Sequence, residues 1–438
     1  MRIDLSGNDR IPLLLDLVRE ISRTADPGEV LSRFVDAMRK AYGARGYLSL
    51  ATAGLPPGNF KATRFLTPEG VDRITSDDRW IGDAGMPVRS GGFIGGLIST
   101  PEPKLHHHLA VADDPVFGDG LAPYRSLMAL PVYDGGQVTN WAILLHPDPA
   151  LFTPADIEWG ILRTNLIGAA LYNKQLARQL REASAWIQGQ VDQIAEIQRA
   201  LLPPEIPRIP GLSVAADYAT FDRAGGDYYD IAPLPPDPER PGDAAWGFLI
   251  SDASGHGPAS AVVVAMMHAI LYAYPSRPRG PAEILEHLNR RLFARRIGNT
   301  FVTAFCAMYR PADRSLTYAC AGHNPPLLRR ADGVLARLDG GAGPPLGILD
   351  AVGAGEETVT LSPGDVALLY TDGITEAESP KGTMLGEEGL SAALAAAAAR
   401  AGGAGDILRE VLRRLRGHEA GTRPGDDQTV VVLRGERD

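Results

Sequence analysis

The sequence predicts a layered α+β fold for its C-terminal half, on three observations. Short apolar runs recur there (WGFLISD, FVTAFCAMY, SLTYACAG, DVALLYTD and QTVVVLR), helices stand apart from them, and glycine sits at the run ends. At 438 residues the chain exceeds a single core, so two or three domains are expected.

From the N-terminus, IPLLLDLVREIS and VLSRFVDAMRKAY carry apolar residues at helical spacing. YLSLA, LMALPVY and WAILLH read as strands, and DGGQ between the last two reads as a hairpin turn. FTPADIEWGILRTNLIGAAL then reads as a helix with Thr153 as N-cap and Pro154 in its first position. We take residues 1–171 as the first domain. From Tyr172 a polar helix carries a sparse seam of Leu176, Leu180, Ala183, Ile187, Val191, Ile194, Ile197 and Leu201. Spacings of three and four predict a coiled coil, with a single helix lying on a domain as the alternative. LLPPEIPRIPG breaks it, which sets a linker at 172–211 and a second domain at 212–438. There PASAVVVAMMHAILYAY, AEILEHLNRRLFARR and LSAALAAAAARA read as helices, and SVAADY and ETVTLS as further strands.

Composition narrows the function. A net charge of -10 argues against general nucleic-acid binding and against anionic membranes. MRIDLSGNDR lacks the basic and apolar regions of a signal peptide, and no apolar run approaches the ~20 residues of a membrane span. Two cysteines, Cys306 and Cys320, are too few for a disulfide framework and read as small buried residues. A cytoplasmic protein is expected.

The chemistry lies in the second domain's aspartates. Asp252 follows WGFLIS, Asp372 follows DVALLYT and precedes Gly373, Asp427 precedes TVVVL, and Asp227 sits in GGDYYD. An aspartate before glycine is often only a turn residue. Four carboxylates at the ends of buried strands are costly to desolvate singly and repel one another when gathered. A hard divalent cation such as Mg²⁺ or Mn²⁺ resolves both costs. The spacing alone predicts a metal and leaves the substrate open. No GxxxxGK[ST] loop supports a nucleotide switch.

GGDYYD, SDASGHG, AGHNPP, LLYTDGITEA and GDDQT, in this order across Leu212 to Leu433, resemble the motif series of the metal-dependent protein phosphatases of the 2C type. The bacterial RsbU-like and stage-II-sporulation-E-like branch is the nearest match. The resemblance implies an αββα sandwich and a serine/threonine phosphatase using two Mn²⁺ or Mg²⁺ ions. It implies that Asp252 bridges the two metals, that the Ala253 carbonyl and Asp227 serve the first, and that Asp372 and Asp427 serve the second. Asp252 and Asp227 would be the catalytic pair, with Asp230, His256 and Asp426 supporting the ligands from behind. His256 is a weak general-acid candidate, because its offset from Asp252 departs from that of eukaryotic relatives. Arg223 is likewise out of place as a phosphate contact, and His323 and Asn324 read as shaping a nearby loop. The implied substrate is a phosphorylated anti-sigma-factor antagonist.

The first domain is similar to GAF domains across DPVFGDGLAPYRSLMALPVYDGGQVTNWAIL, which implies an unidentified small-molecule ligand. His106, His107 and His108 read as a solvated loop rather than a metal site. The linker helix is expected to form a homodimer and to bias the helices after SDASGHG. A catalytically inactive sensor or scaffold is the alternative function.

Overall fold

A computed structural model describes residues 15–16, 18–19, 22, 27–67, 86–236, 244–255, 257–295, 300–400 and 402–437. The helix expected over IPLLLDLVREIS falls mostly outside them, as does His256. The chain divides into two units, Met1–Ala185 and Trp186–Asp438.

The first unit is built on an antiparallel sheet. Its strands are β1 (Gly46–Ala51), β2 (Asn59–Leu66), β3 (Arg89–Ser90), β4 (Lys104–His106), β5 (Ser126–Asp134) and β6 (Gln137–His146), in the order β3-β2-β1-β6-β5-β4. DGGQ makes the expected tight turn, with Gly135 and Gly136 at φ 54° and 81°, the left-handed pair a two-residue hairpin requires. Alternation along the strands divides two cores. Val30, Phe34 and Met38 of α1 (Pro27–Ala41) meet Tyr47, Met128, Leu130 and Leu144 on one face. Ile94 and Leu97 of α2 (Gly92–Leu97) meet Leu48, Phe60, Trp141 and Ile143 on the other.

The two helices read around Tyr172 are one helix, α3 (Pro154–Leu201). It opens as expected: Asp156 accepts from the Thr153 backbone N–H at 2.9 Å and from its hydroxyl at 2.7 Å. With no proline until Pro203, nothing in its sequence stops it at residue 171.

The second unit is a four-layer helix–sheet–sheet–helix sandwich. One sheet carries β8 (Asp227–Pro233), β9 (Trp246–Ala253), β10 (Val302–Arg310), β11 (Ser315–Ala321) and β14 (Ala342–Gly343), with β15 (Glu357–Thr360) also on β11. The other carries β7 (Leu212–Ala219), β17 (Gln428–Gly435), β16 (Val366–Tyr370), β12 (Leu327–Arg329) and β13 (Leu335–Arg337). Period-two alternation explains the continuous apolar runs, because both faces are buried. Tyr229, Ile231, Phe248, Ile250, Phe305, Ala367, Leu369 and Val431 point between the sheets. Leu249, Ala304 and Cys306 instead face α4 (Pro258–Tyr272) and α5 (Pro281–Arg295). Leu368 and Val430 face α7 (Gly386–Ala398) and α8 (Ala404–Glu419). Cys306 and Cys320 are free and buried, as read. Removing the Leu369 side chain from the inter-sheet layer is expected to cost roughly 3 kcal/mol. Urea unfolding of Leu369→Ala should show this as a lower midpoint for the C-terminal transition.

Candidate metal centre

The same alternation assembles the site. If Tyr229 and Ile250 point between the sheets, so do Asp227 and Asp252, two residues away on their strands, and the pairing of β8 with β9 sets them directly opposite each other. On the other sheet Asp427 leads into β17, and Asp372 follows β16 as the first residue of a one-turn helix, α6 (Asp372–Thr375). Each sheet therefore supplies two carboxylates to one end of the inter-sheet layer.

Neighbours hold these groups closely. Asp227 is 1% exposed, and its Oδ2 accepts from the Thr371 and Thr429 hydroxyls at 2.7 and 2.6 Å. Asp427 accepts from the backbone N–H of Phe221 at 2.7 Å and of Gly226 at 2.6 Å. Asp426 turns back to accept from the Asp427 N–H at 2.8 Å. Gly373 is dictated by packing, since a Cβ there would lie 2.0 Å from the Asp427 carbonyl oxygen.

The electrostatics match a site short of positive charge. Burial, then the charges of Asp372, Asp426, Asp427 and Glu376, push Asp252 up to about 7. Burial and then Asp252 raise Asp227 well above the usual carboxylate range, against the opposing hydroxyls of Thr429 and Thr371. Asp372 is raised by burial, Glu376 and Asp426. Asp427 is raised by burial above all, while the N–H groups of Phe221 and Gly226 oppose the shift. None of the groups named here is a cation.

Among the described residues, no three acidic, histidine or cysteine side chains close on one point as a finished metal cage. The donors nevertheless suit a hard cation: carboxylates that repel one another, plus a main-chain carbonyl. A cradle borders them, because a Cβ on Gly226 would lie 2.5 Å from the Ala253 carbonyl oxygen and 3.1 Å from Asp252 Oδ1.

The remaining sequence candidates separate. Asp426 joins the cluster. Asp230 does not: three residues along β8 from Asp227, it turns to the opposite face, where Tyr272 donates to it at 3.4 Å and burial raises its pKa. Arg223 is engaged by Asp192 of α3. His323 is buried, pairs through Nδ1 with the Thr303 hydroxyl at 2.9 Å, and is pushed down to about 4 by burial, which keeps it neutral. Thr303 in turn sits opposite Asp252 in the β9–β10 pairing. Sequence reasoning missed Thr371, Thr429 and Glu376. The first two share the inter-sheet parity of Leu369 and Val431, and Glu376 lies one helical turn after Asp372, so the periodicities held the signal.

Residues 242–436 match the family model described as "Stage II sporulation protein E (SpoIIE)". The chain is similar to phosphoserine phosphatase RsbU of Bacillus subtilis, 27% identical over 216 residues, which cover 49% of this chain and 61% of RsbU. It is also similar to protein IcfG of Synechocystis, 23% identical over 265 residues, which cover 54% of this chain and 40% of IcfG. Among solved structures, the SiaA-PP2C domain of Pseudomonas aeruginosa aligns at 22% identity and a TM-score of 0.49, covering 58% of this chain and 98% of that domain. No described helix is long and apolar enough to cross a membrane. Over residues 242–436, a little under half of its length, the chain thus matches the stage II sporulation protein E family, in agreement with the branch of 2C-type phosphatases that its motif series resembles.

Proposed function

We propose that the C-terminal unit is a metal-dependent phosphatase that hydrolyses phosphoserine or phosphothreonine on a protein. The supporting observation is the meeting of two strand-end aspartates from each sheet in one repelling cluster, with burial and neighbouring charge holding Asp252 near 7. Asp227, Asp252, the Ala253 carbonyl, Asp372 and Asp427 would hold two Mn²⁺ or Mg²⁺ ions. When bound, such ions supply a water of lowered pKa and neutralise charge on the phosphoryl oxygens. The chain's own residues keep the ligands in place: Thr371 and Thr429 fix Asp227, and the N–H groups of Phe221 and Gly226 fix Asp427.

The substrate belongs to the same reading. RsbU is named a phosphoserine phosphatase, and a phosphorylated anti-sigma-factor antagonist in a partner-switching pathway is the class we carry over. Residues 1–171 would act as a GAF-like sensor for a small molecule, and residues 172–211 as the helical linker that pairs two chains in the cytoplasm. Leu180, Trp186, Ile187 and Ile197 of α3 are all exposed, which supports pairing. Ile194 and Leu201 of the same seam are instead packed within the C-terminal unit.

Hydrolysis of p-nitrophenyl phosphate and of a phosphoserine peptide by the full chain should require Mn²⁺ and cease on chelation. Turnover that persists after chelation of every divalent ion would refute the metal-centre reading, and silence with every metal would favour a partner-binding scaffold.

A further inference from the structure

The last turns of α3 belong to the second unit and are tied to its metal centre. Gln198 is only 3% exposed, and its amide makes a two-way pair with the main chain of Gly225. Nε2 donates to the Gly225 carbonyl at 2.8 Å, and the Gly225 N–H donates to Oε1 at 3.0 Å. Nε2 also lies 3.4 Å from the Asp227 carbonyl oxygen. Two residues bonded in this way copy a rung of sheet, with a side chain in place of one strand.

The clamped segment carries the metal-centre geometry. Residues 221–226 present to Asp427 the two N–H groups that hold its carboxylate, and the segment ends at Asp227. It has little freedom: a Cβ on Gly225 would fall 2.3 Å from Asp427 Oδ2, so the backbone already lies against the ligand. Beside the clamp, Ala195 packs with Ala224 of the segment and with Ala261 of α4, the helix that follows SDASGHG.

We propose that Gln198 is a positioning residue through which the end of α3 sets the placement of Asp227 and Asp427, and hence the affinity for metal. This rests on the metal-centre reading above. Turning α3 by one residue rotates its face by about 100° and offers Ile197 or Arg199 in place of the clamp. Neither side chain pairs with both an N–H and a carbonyl. The contact therefore converts the rotational setting of a helix into the placement of metal ligands.

The test uses the full chain and Mn²⁺ alone, with binding read by isothermal titration calorimetry and activity read against Mn²⁺ concentration. Gln198→Met keeps the volume and removes both hydrogen bonds. It is expected to bind Mn²⁺ at least about tenfold more weakly, the range seen when a residue behind a metal ligand is lost. It should also need correspondingly more Mn²⁺ for half-maximal turnover and recover most of kcat at saturation. Gln193→Ala, exposed on the same helix, should behave as the native chain. Gln198→Glu keeps the acceptor for the Gly225 N–H and loses the donor, so it should fall between the two. If the Met variant does not fold, the Glu variant carries the same comparison. A folded Gln198 variant with unchanged or tighter Mn²⁺ binding overturns the proposal. If the native chain itself binds no Mn²⁺, the metal-centre reading fails, and the clamp's role falls with it.

Discussion

Asp252→Asn should lower kcat/KM for a phosphoserine peptide by about 10²–10³-fold at saturating Mn²⁺, the scale lost when one group stabilising a transition state is removed. The substitution keeps the shape of the side chain and removes one charge, at the position the motif series gives to the aspartate shared by both metals. Asp252 also couples to Asp372, Asp426 and Asp427, so its loss alters the affinity of the whole cluster for cations. Steady-state kinetics at several Mn²⁺ concentrations separate the two effects. A variant that regains native kcat/KM with excess metal would show that Asp252 only recruits the ion.

The same aspartate should make the metal-free protein sensitive to pH in an uncommon direction. A carboxyl raised from 3.8 to about 7 in the folded chain binds a proton there that the unfolded chain gives up. Stability from this group is thus full below pH 4 and is lost as pH rises through about 7. At ~1.36 kcal/mol per pH unit the loss amounts to roughly 4 kcal/mol by pH 8. Cations that neutralise the cluster remove the penalty, so the rise in Tm on adding Mn²⁺ should be small at pH 5 and large at pH 8. In the chelated protein Asp252→Asn should raise Tm at pH 8, although the same substitution lowers turnover at saturating Mn²⁺. A metal-induced Tm shift that is flat between pH 5 and 8 would contradict the raised pKa.

Much of the site was legible because it follows a period-two rule. Once WGFLIS and DVALLYT are recognised as strands buried on both faces, a polar group at their ends is out of place, and Asp252 and Asp372 stand out. Asp230 was misplaced because nearness in sequence to Asp227 suggested nearness in space, whereas an odd offset along a strand reverses the face. α8 was passed over, although Ile407, Leu408, Val411 and Leu415 recur at helical spacing, because its charged residues obscured the stripe. The continuity of α3 was hidden by a change in character, from apolar around Ile161–Leu171 to polar beyond, with no break in the backbone. The Gln198 clamp left no local mark: a glutamine in a polar helix looks solvated until the partner 27 residues away arrives beside it.

The division of the carboxylates between the sheets bears on more than chemistry. Neither half of the sandwich holds all of the ligands, so on the proposed reading the second ion, held by Asp252 from one sheet and by Asp372 and Asp427 from the other, is a removable crosslink between the two halves. Such a link would tighten the open end of the inter-sheet layer in the way that a disulfide tightens a loop. The rigidity of that end would then depend on ion supply as well as on sequence. A protein built this way carries its cofactor as part of its scaffold, and a cell short of the ion would hold a looser molecule as well as a less active one.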